Sequence, residues 1–266
     1  MSLKIAVCIK SVPDPDHYDN IRIDPETKTL IRTGIPSVIN SADKHALELA
    51  MQIKEQFLAK VSVFTMAPPQ GKDQLLRALA YGTDDAYLLS DRKVGGADTL
   101  ATSHSLCAMI SHVDDYDLIL AGNESEDGAT AHVPSQLGEW MGIPHMADVV
   151  DAQLVDETTI CATKEYEDGN RRYKIKMPCV LAVKKKINVV RYPKPVDIFK
   201  AKNKPLIIFS ADDLPELNQS YIGLAGSPTK AGELITPEYS RSSQPIEGSS
   251  EEIADSIIGI LQKIIN

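Results

Sequence analysis

Four short apolar runs, each followed by a segment with helical spacing, constrain this chain more than any other feature. Leu3-Lys4-Ile5-Ala6-Val7-Cys8-Ile9 comes first. Val61-Ser62-Val63-Phe64-Thr65-Met66, Asp85-Ala86-Tyr87-Leu88-Leu89 and Asp117-Leu118-Ile119-Leu120-Ala121 follow. Runs this short and this rich in Val, Ile and Leu read as strands buried on both faces. The segments between them turn an apolar face every three to four residues. Ser41 is placed to cap a helix with Ala46, Leu47, Leu49, Ala50 and Ile53 on one side. A second helix carries Leu75, Leu76, Ala78, Leu79 and Ala80 and stops at Gly82. Gly95-Gly96-Ala97-Asp98-Thr99 opens a third that runs to about Val113, and a fourth runs from about Thr130 to Met141. Strand and helix in alternation predict an α/β fold built on a doubly wound, mostly parallel, Rossmann-like sheet.

After Gly142 the pattern changes. Segments 148–155, 158–166, 172–177 and 180–184 have strand-like composition, and Asp168-Gly169-Asn170 reads as a hairpin turn, so added antiparallel strands are expected. A shorter hairpin is expected across Ile21-Arg22-Ile23 and Thr29-Leu30-Ile31, turning at Asp24-Pro25-Glu26. Residues 191–248 are poor in core residues. They read as an arm packing on another subunit, or as a surface linker folding back on its own domain. Ser249-Ser250-Glu251-Glu252 supplies a capping box for a last helix with Ile253, Ile257 and Leu261 on one face. The expected organisation is an α/β domain over 1–190 and a docking segment, extended arm and terminal helix over 191–266.

Composition excludes several classes. The net charge of −9 is wrong for a protein that grips phosphate backbones, so no nucleic-acid partner is expected. Cys8, Cys107, Cys161 and Cys179 are scattered without a CxxC pair, which signals neither a metal site nor a disulfide framework. A reduced, cytoplasmic setting is the simplest reading. The N-terminus lacks a secretory layout, and no apolar run reaches the ~18 residues of a membrane span. No side chain stands out as a general acid or base.

Ligands of parallel sheets bind beyond the carboxyl ends of the strands. There the sequence places Lys10-Ser11-Val12-Pro13, Ala67-Pro68-Pro69-Gln70, Asp91-Arg92 with Gly95–Thr99, and Gly122-Asn123-Glu124-Ser125-Glu126-Asp127-Gly128. The last two lead into helix N-termini, whose free N–H groups suit phosphate. Glu124, Glu126 and Asp127 suit ribose hydroxyls or an adenine amino group, with Thr130, Ala131 and His132 nearer phosphates. The loop reads as a nucleotide cradle or as an ordinary capped βα loop. Neither GxGxxG nor a P-loop is present to decide.

Several motifs in order resemble the β subunit of electron transfer flavoprotein. "KIAVCIKSVPDP" is similar to the family's opening strand and loop. "IRIDPETKTLIRTGIPSVINSADKHALELA" and "SVFTMAPPQGKDQLLRALAYGTDDAYLLSDRKVGGADTLATS" resemble the NADH-linked, electron-bifurcating branch of anaerobes. "RYPKPVDIFKAKNKPL" and "GLAGSPTK" are similar to a partner-docking segment and a C-terminal arm. The resemblance implies an adenine-nucleotide-binding type of fold, an α-subunit partner and a role as electron carrier. In the bifurcating branch it implies FAD in this subunit, hydride from NADH, one electron to ferredoxin and one through the α-subunit FAD to a flavin dehydrogenase. In the housekeeping branch it implies AMP in the same pocket. A non-redox nucleotide-binding module is the reading from another class.

Carried over by position, the resemblance implies cofactor contacts from Cys8, Asn40, Asp43, Met66, Asp98, Thr99, Gly122, Asn123, Glu124, Ser125, Glu126, Asp127, Gly128, Thr130, Ala131, His132 and Val133. It implies docking through Arg191, Tyr192, Pro195 and Val196. Two departures stand out. His132 and Ala129 replace a glutamine and an acidic residue of the family's cradle. Pro195 replaces the leucine that anchors acyl-CoA dehydrogenases, which points to a different partner, such as an FAD-dependent lactate or 2-hydroxyacid dehydrogenase, otherwise an acyl-CoA dehydrogenase or reductase.

Overall fold

The computed structural model describes residues 2–20, 22–23, 30–31, 34–230, 243 and 245–265. The chain divides into two compact units, Met1–Ala231 and Gly232–Asn266. In the first unit the elements run β1 (Leu3–Cys8), β2 (Ser11–Pro13), β3 (Arg22–Ile23), β4 (Leu30–Ile31), β5 (Ser37–Ile39) and α1 (Ser41–Gln56). They continue through β6 (Ala59–Met66), α2 (Lys72–Ala80), β7 (Asp85–Leu89), α3 (Thr99–Val113), β8 (Leu118–Gly122) and α4 (Val133–Met141). β9 (His145–Asp156), β10 (Thr159–Tyr166), β11 (Gly169–Lys176), β12 (Cys179–Val183), α5 (Pro195–Ala201) and β13 (Leu206–Phe209) complete the unit.

One nine-stranded sheet carries the order β11-β10-β9-β12-β8-β1-β6-β7-β13. Every pairing from β9 across to β13 is parallel, and β10 runs antiparallel to both β9 and β11. The doubly wound sheet and its antiparallel extension are as expected. β3 and β4 pair antiparallel, Arg22 opposite Ile31, while the expected turn at 24–26 lies outside the described residues. β2 pairs with β5 in a second small ribbon.

Strand alternation sends side chains to two cores. Ile5, Val7, Leu118 and Leu120 join Leu47 and Ile53 of α1 and Leu75 and Leu79 of α2 on one face. Ala6, Cys8, Ile119 and Ala121 join Leu106 and Met109 of α3 and Leu137 of α4 on the other. Helices on both faces are why these strands read as unbroken apolar runs. Each fully buried Leu or Ile contributes about 1.5–3 kcal/mol, which makes this central region the stable scaffold for the loops at its rim.

Some helix starts differ from the sequence expectations in instructive ways. Asn40, not Ser41, is the N-cap of α1, and its side chain makes no capping bond because it is engaged elsewhere. α3 begins as expected at the end of the Gly95–Thr99 stretch, at Thr99, with Asp98 accepting from the Ala101 N–H at 3.0 Å. α4 begins at Val133 rather than Thr130, because Ala129 and Ala131 adopt left-handed backbone (φ 47° and 54°) that no helix continues. β11 begins at Gly169, whose φ of 134° suits only glycine, so the hairpin turn is Glu167-Asp168.

The expected domain break at residue 190 does not coincide with the observed division. β13 pairs with β7 and completes the sheet edge, and Ala211, Leu214, Leu217 and Ile222 are buried in the second core. These contacts keep 191–230 in the first compact unit. In the second unit Ser249 and Glu252 form the expected capping box at the start of α6 (Ser250–Ile265), whose Ile257 and Leu261 are exposed. Among the described residues no helix is long and apolar enough to cross a membrane, and no cluster of His, Cys, Asp and Glu could hold a metal ion.

Candidate functional site

From β1 the chain winds outward through β6 and β7. From β8, β1's other neighbour, it winds the opposite way toward β12 and β9. The order therefore reverses between β1 and β8, and the carboxyl ends of that pair open the crevice in which such sheets bind ligands. Two loops flank it: Ile9-Lys10 after β1, and residues 123–132 after β8.

The first turn of α1 ties these loops together. Asp43 accepts from the Lys10 N–H at 2.7 Å with one carboxylate oxygen and from the Gly122 N–H at 3.0 Å with the other. Asn40 donates to the Glu124 carbonyl at 2.9 Å and accepts from the Glu126 N–H at 3.1 Å. Both residues are buried. A Cβ on Gly122 would press within 2.7 Å of Ala42 and into Asp43, so only glycine lets the strand end lie against the helix start. On the far side, Asn123 and Asp148 exchange two hydrogen bonds, of 3.2 and 2.8 Å, with Asp148 held at a φ of 58°.

The outer loop is charged. Lys10 Nζ lies 3.1 Å from Ser125 Oγ and 2.5 Å from Asp127 Oδ1. Lys185 Nζ lies 2.6 Å from Glu126 Oε1. Glu124 is exposed, as are Gly128, Thr130 and His132. Val133 is the first residue of α4. Burial pushes the Asp43 carboxyl up to about 7 against the lowering pull of its N–H donors and the Lys10 charge. Burial, reinforced by the Asp43 charge, pushes the Cys8 thiol up to about 12, so it stays protonated and unreactive.

The structure thus brings Asn40, Asp43 and Gly122–Asp127 together with the end of β1. Asn40 and Asp43 act from behind, positioning both loops. Cys8 is buried below the rim, and Met66 is half-buried at the end of β6, the strand beside β1. Asp98 and Thr99 stand at the start of α3, beyond β7. Asp98 is occupied there: it caps its own helix, and it accepts from the Thr229 N–H at 2.9 Å, while its own N–H donates to Ser227 Oγ at 2.8 Å. Sequence reasoning missed Lys10, Lys185 and Asp148 as parts of the loop's support. The only available signal was position, since Lys10 and Lys185 directly follow the two strands that flank β8.

At the docking segment Arg191 grips α1, donating to Glu48 at 2.7 and 2.9 Å and pairing with Glu55. Tyr192 is 95% exposed, and Pro195 opens α5, with Val196 also exposed.

A doubly wound sheet with a built loop at its switch point defines the class: an α/β protein of the kind whose ligands bind at the carboxyl rim. The electron transfer flavoprotein domain family matches residues 27–214. The chain is 41% identical over 261 residues to the electron transfer flavoprotein subunit beta of Clostridium acetobutylicum, covering 98% of both chains. It is 38% identical to the caffeyl-CoA reductase-Etf complex subunit CarD of Acetobacterium woodii, again with 98% of both covered. It is 33% identical to the protein FixA of Bradyrhizobium diazoefficiens, over 95% of this chain and 88% of that one. The chain belongs to the electron transfer flavoprotein family as a β subunit, and its function is electron transfer.

Proposed function

We propose that this chain is the β subunit of an NADH-dependent, electron-bifurcating electron transfer flavoprotein, with FAD in the crevice between β1 and β8. The observation that carries the reading is the loop after β8, built onto the switch point by Asn40, Asp43 and Asn123 and leaving polar groups exposed along its outer part. These residues fit a dinucleotide. Peptide N–H groups in turns with left-handed residues, as at Ala131, form anion-binding concavities. The start of α4 adds helix N–H groups, and Glu124 offers a carboxylate to hydroxyl or amino donors. When bound, FAD would supply the redox chemistry, hydride acceptance from NADH and single-electron release. The chain's part is to bind, orient and shield it. The similarity to a subunit of a reductase–Etf complex favours this branch.

The α subunit is the expected partner for residues 191–266. Ferredoxin and a flavin dehydrogenase are the expected acceptors. Pro195 at the start of α5, where the related docking segment carries a leucine anchor, favours a 2-hydroxyacid dehydrogenase over an acyl-CoA dehydrogenase. Flavin counting on the purified heterodimer tests the cofactor assignment: two FAD are expected, and one FAD with one AMP would replace bifurcation by simple electron carriage. Co-purification with candidate dehydrogenases tests the partner, and tight binding of a standard acyl-CoA dehydrogenase through 191–196 would count against it.

A further inference from the structure

The loop after β8 is held in two different ways. Its root, Gly122 to the backbone of Glu126, is fixed by a buried hydrogen bond to Asp43 and half-buried ones to Asn40 and Asp148. Among the described residues, two ion pairs approach its outer part from opposite sides. In the strand order β12-β8-β1, Lys185 follows β12 and reaches Glu126, whereas Lys10 follows β1 and reaches Asp127. The carboxylates are the sheltered partners: Asp127 is 6% exposed and Glu126 22%, against 46% and 54% for the lysines. Between Asp127 and α4 the described residues add one turn bond, Ala129 N–H to the Ser125 carbonyl. A loop with a rigid root and a tip fastened by cations that water can reach is built to swing at the tip.

We propose that Lys10 and Lys185 are positioning residues that latch the loop tip, residues 127–132, to the rim on either side of β8, and that opening these two pairs sets the rate at which a bound nucleotide leaves the crevice. The second clause rests on the nucleotide reading above; the first does not. Water and salt reach both amines, so the latch weakens as ionic strength rises. Substituting either lysine leaves the root intact, because the backbone groups of Lys10, not its side chain, bond Asp43 and Asn40.

The test uses the heterodimer with its α subunit. Amide hydrogen exchange over 127–132 is compared in the wild type, Lys10→Met, Lys185→Met and the conservative Lys10→Arg. The off-rate of nucleotide is read by dilution into excess competing nucleotide at low and high NaCl. Exchange and off-rate are each expected to rise about threefold to fivefold per Met variant at low salt, to converge with the wild type at high salt, and to return close to wild type in Lys10→Arg. Unchanged tip exchange in both Met variants overturns the latch. Faster exchange with an unchanged off-rate overturns its control of release. Faster exchange in a subunit whose extracts hold no nucleotide overturns the release clause and the reading beneath it, with the latch itself upheld.

Discussion

The loops after β7 and β8 look alike as sequence and end up opposite in the structure. Each leaves a buried strand, carries glycine and acidic residues, and runs into a helix N-terminus. The loop after β7 is sealed by the chain's own later segment. Asp91 accepts from the Ala211 N–H at 3.0 Å, Leu224 N–H donates to the Gly95 carbonyl at 3.0 Å, and Asp98 binds Thr229. Gly223, at a φ of 56°, lies so close to the Lys93 carbonyl that no Cβ fits. The loop after β8 is braced at its root by Asp43 and Asn40 and farther out by the exposed amines of Lys10 and Lys185, with Glu124, Gly128, Thr130 and His132 facing solvent. On the proposed reading, a polar, glycine-marked loop can serve a ligand only where the described residues leave it uncovered. Composition alone does not separate the two cases.

The contrast can be broken at its strongest point first. Asp43→Ala leaves the buried N–H groups of Lys10 and Gly122 without acceptors, and at about 1–3 kcal/mol each should cost roughly 4 kcal/mol in urea unfolding, with loss of nucleotide from the purified protein. The same carboxyl carries a pH signature. Its folded value, about 7, lies above its ordinary 3.8, so between those values the native state holds a proton that the unfolded chain has released. Stability from this group should therefore fall as pH rises from about 4 to 7 and level off above. Asp43→Asn should flatten that component of the pH profile. A wild-type profile identical to that of Asp43→Asn would mean that the carboxyl ionises normally.

Gly223→Ala attacks the sealed loop. Overpacking against the Lys93 carbonyl together with the left-handed backbone should cost about 2–3 kcal/mol, with the nucleotide content of the β8 loop unchanged. Loss of nucleotide in this variant would show that the two loops are one site. Asp98→Ala should cost about 1 kcal/mol through the lost cap, and limited proteolysis should cut faster within 223–230. The smallest effect on stability belongs to Glu124→Gln. Its carboxylate is exposed, so unfolding should shift by less than about 0.5 kcal/mol, while nucleotide affinity, read by equilibrium dialysis, should drop several-fold. Equal affinity would remove Glu124 from the site.

Asn40 shows what local reasoning passed over: the capping signal was read at Ser41, and Asn40 entered only through the family resemblance. Its position before α1 marks it as a helix-start residue, and Asn is a good N-cap. In the structure it serves instead as a two-bond clip for Glu124 and Glu126, at sequence separations of 84 and 86 residues. Segment 191–230 shows the converse. Its sparse apolar residues were legible, but β13 and the burial of Leu214 and Ile222 depend on an edge and a face that other parts of the chain provide.

What the sequence determined by itself was the alternation of buried strands and amphipathic helices, the antiparallel hairpin and the capping box at Ser249. Those patterns express periodicities and capping bonds between residues a few positions apart. Tertiary structure alone decided which rim loop stays open, that Asp43 and Asn40 face inward as braces, and that Lys10 meets Asp127 across 117 residues of chain. Hydrogen bonds and ion pairs are short-ranged in space and indifferent to separation along the chain, so only the folded sheet, by setting β12, β8 and β1 side by side, could bring those partners together.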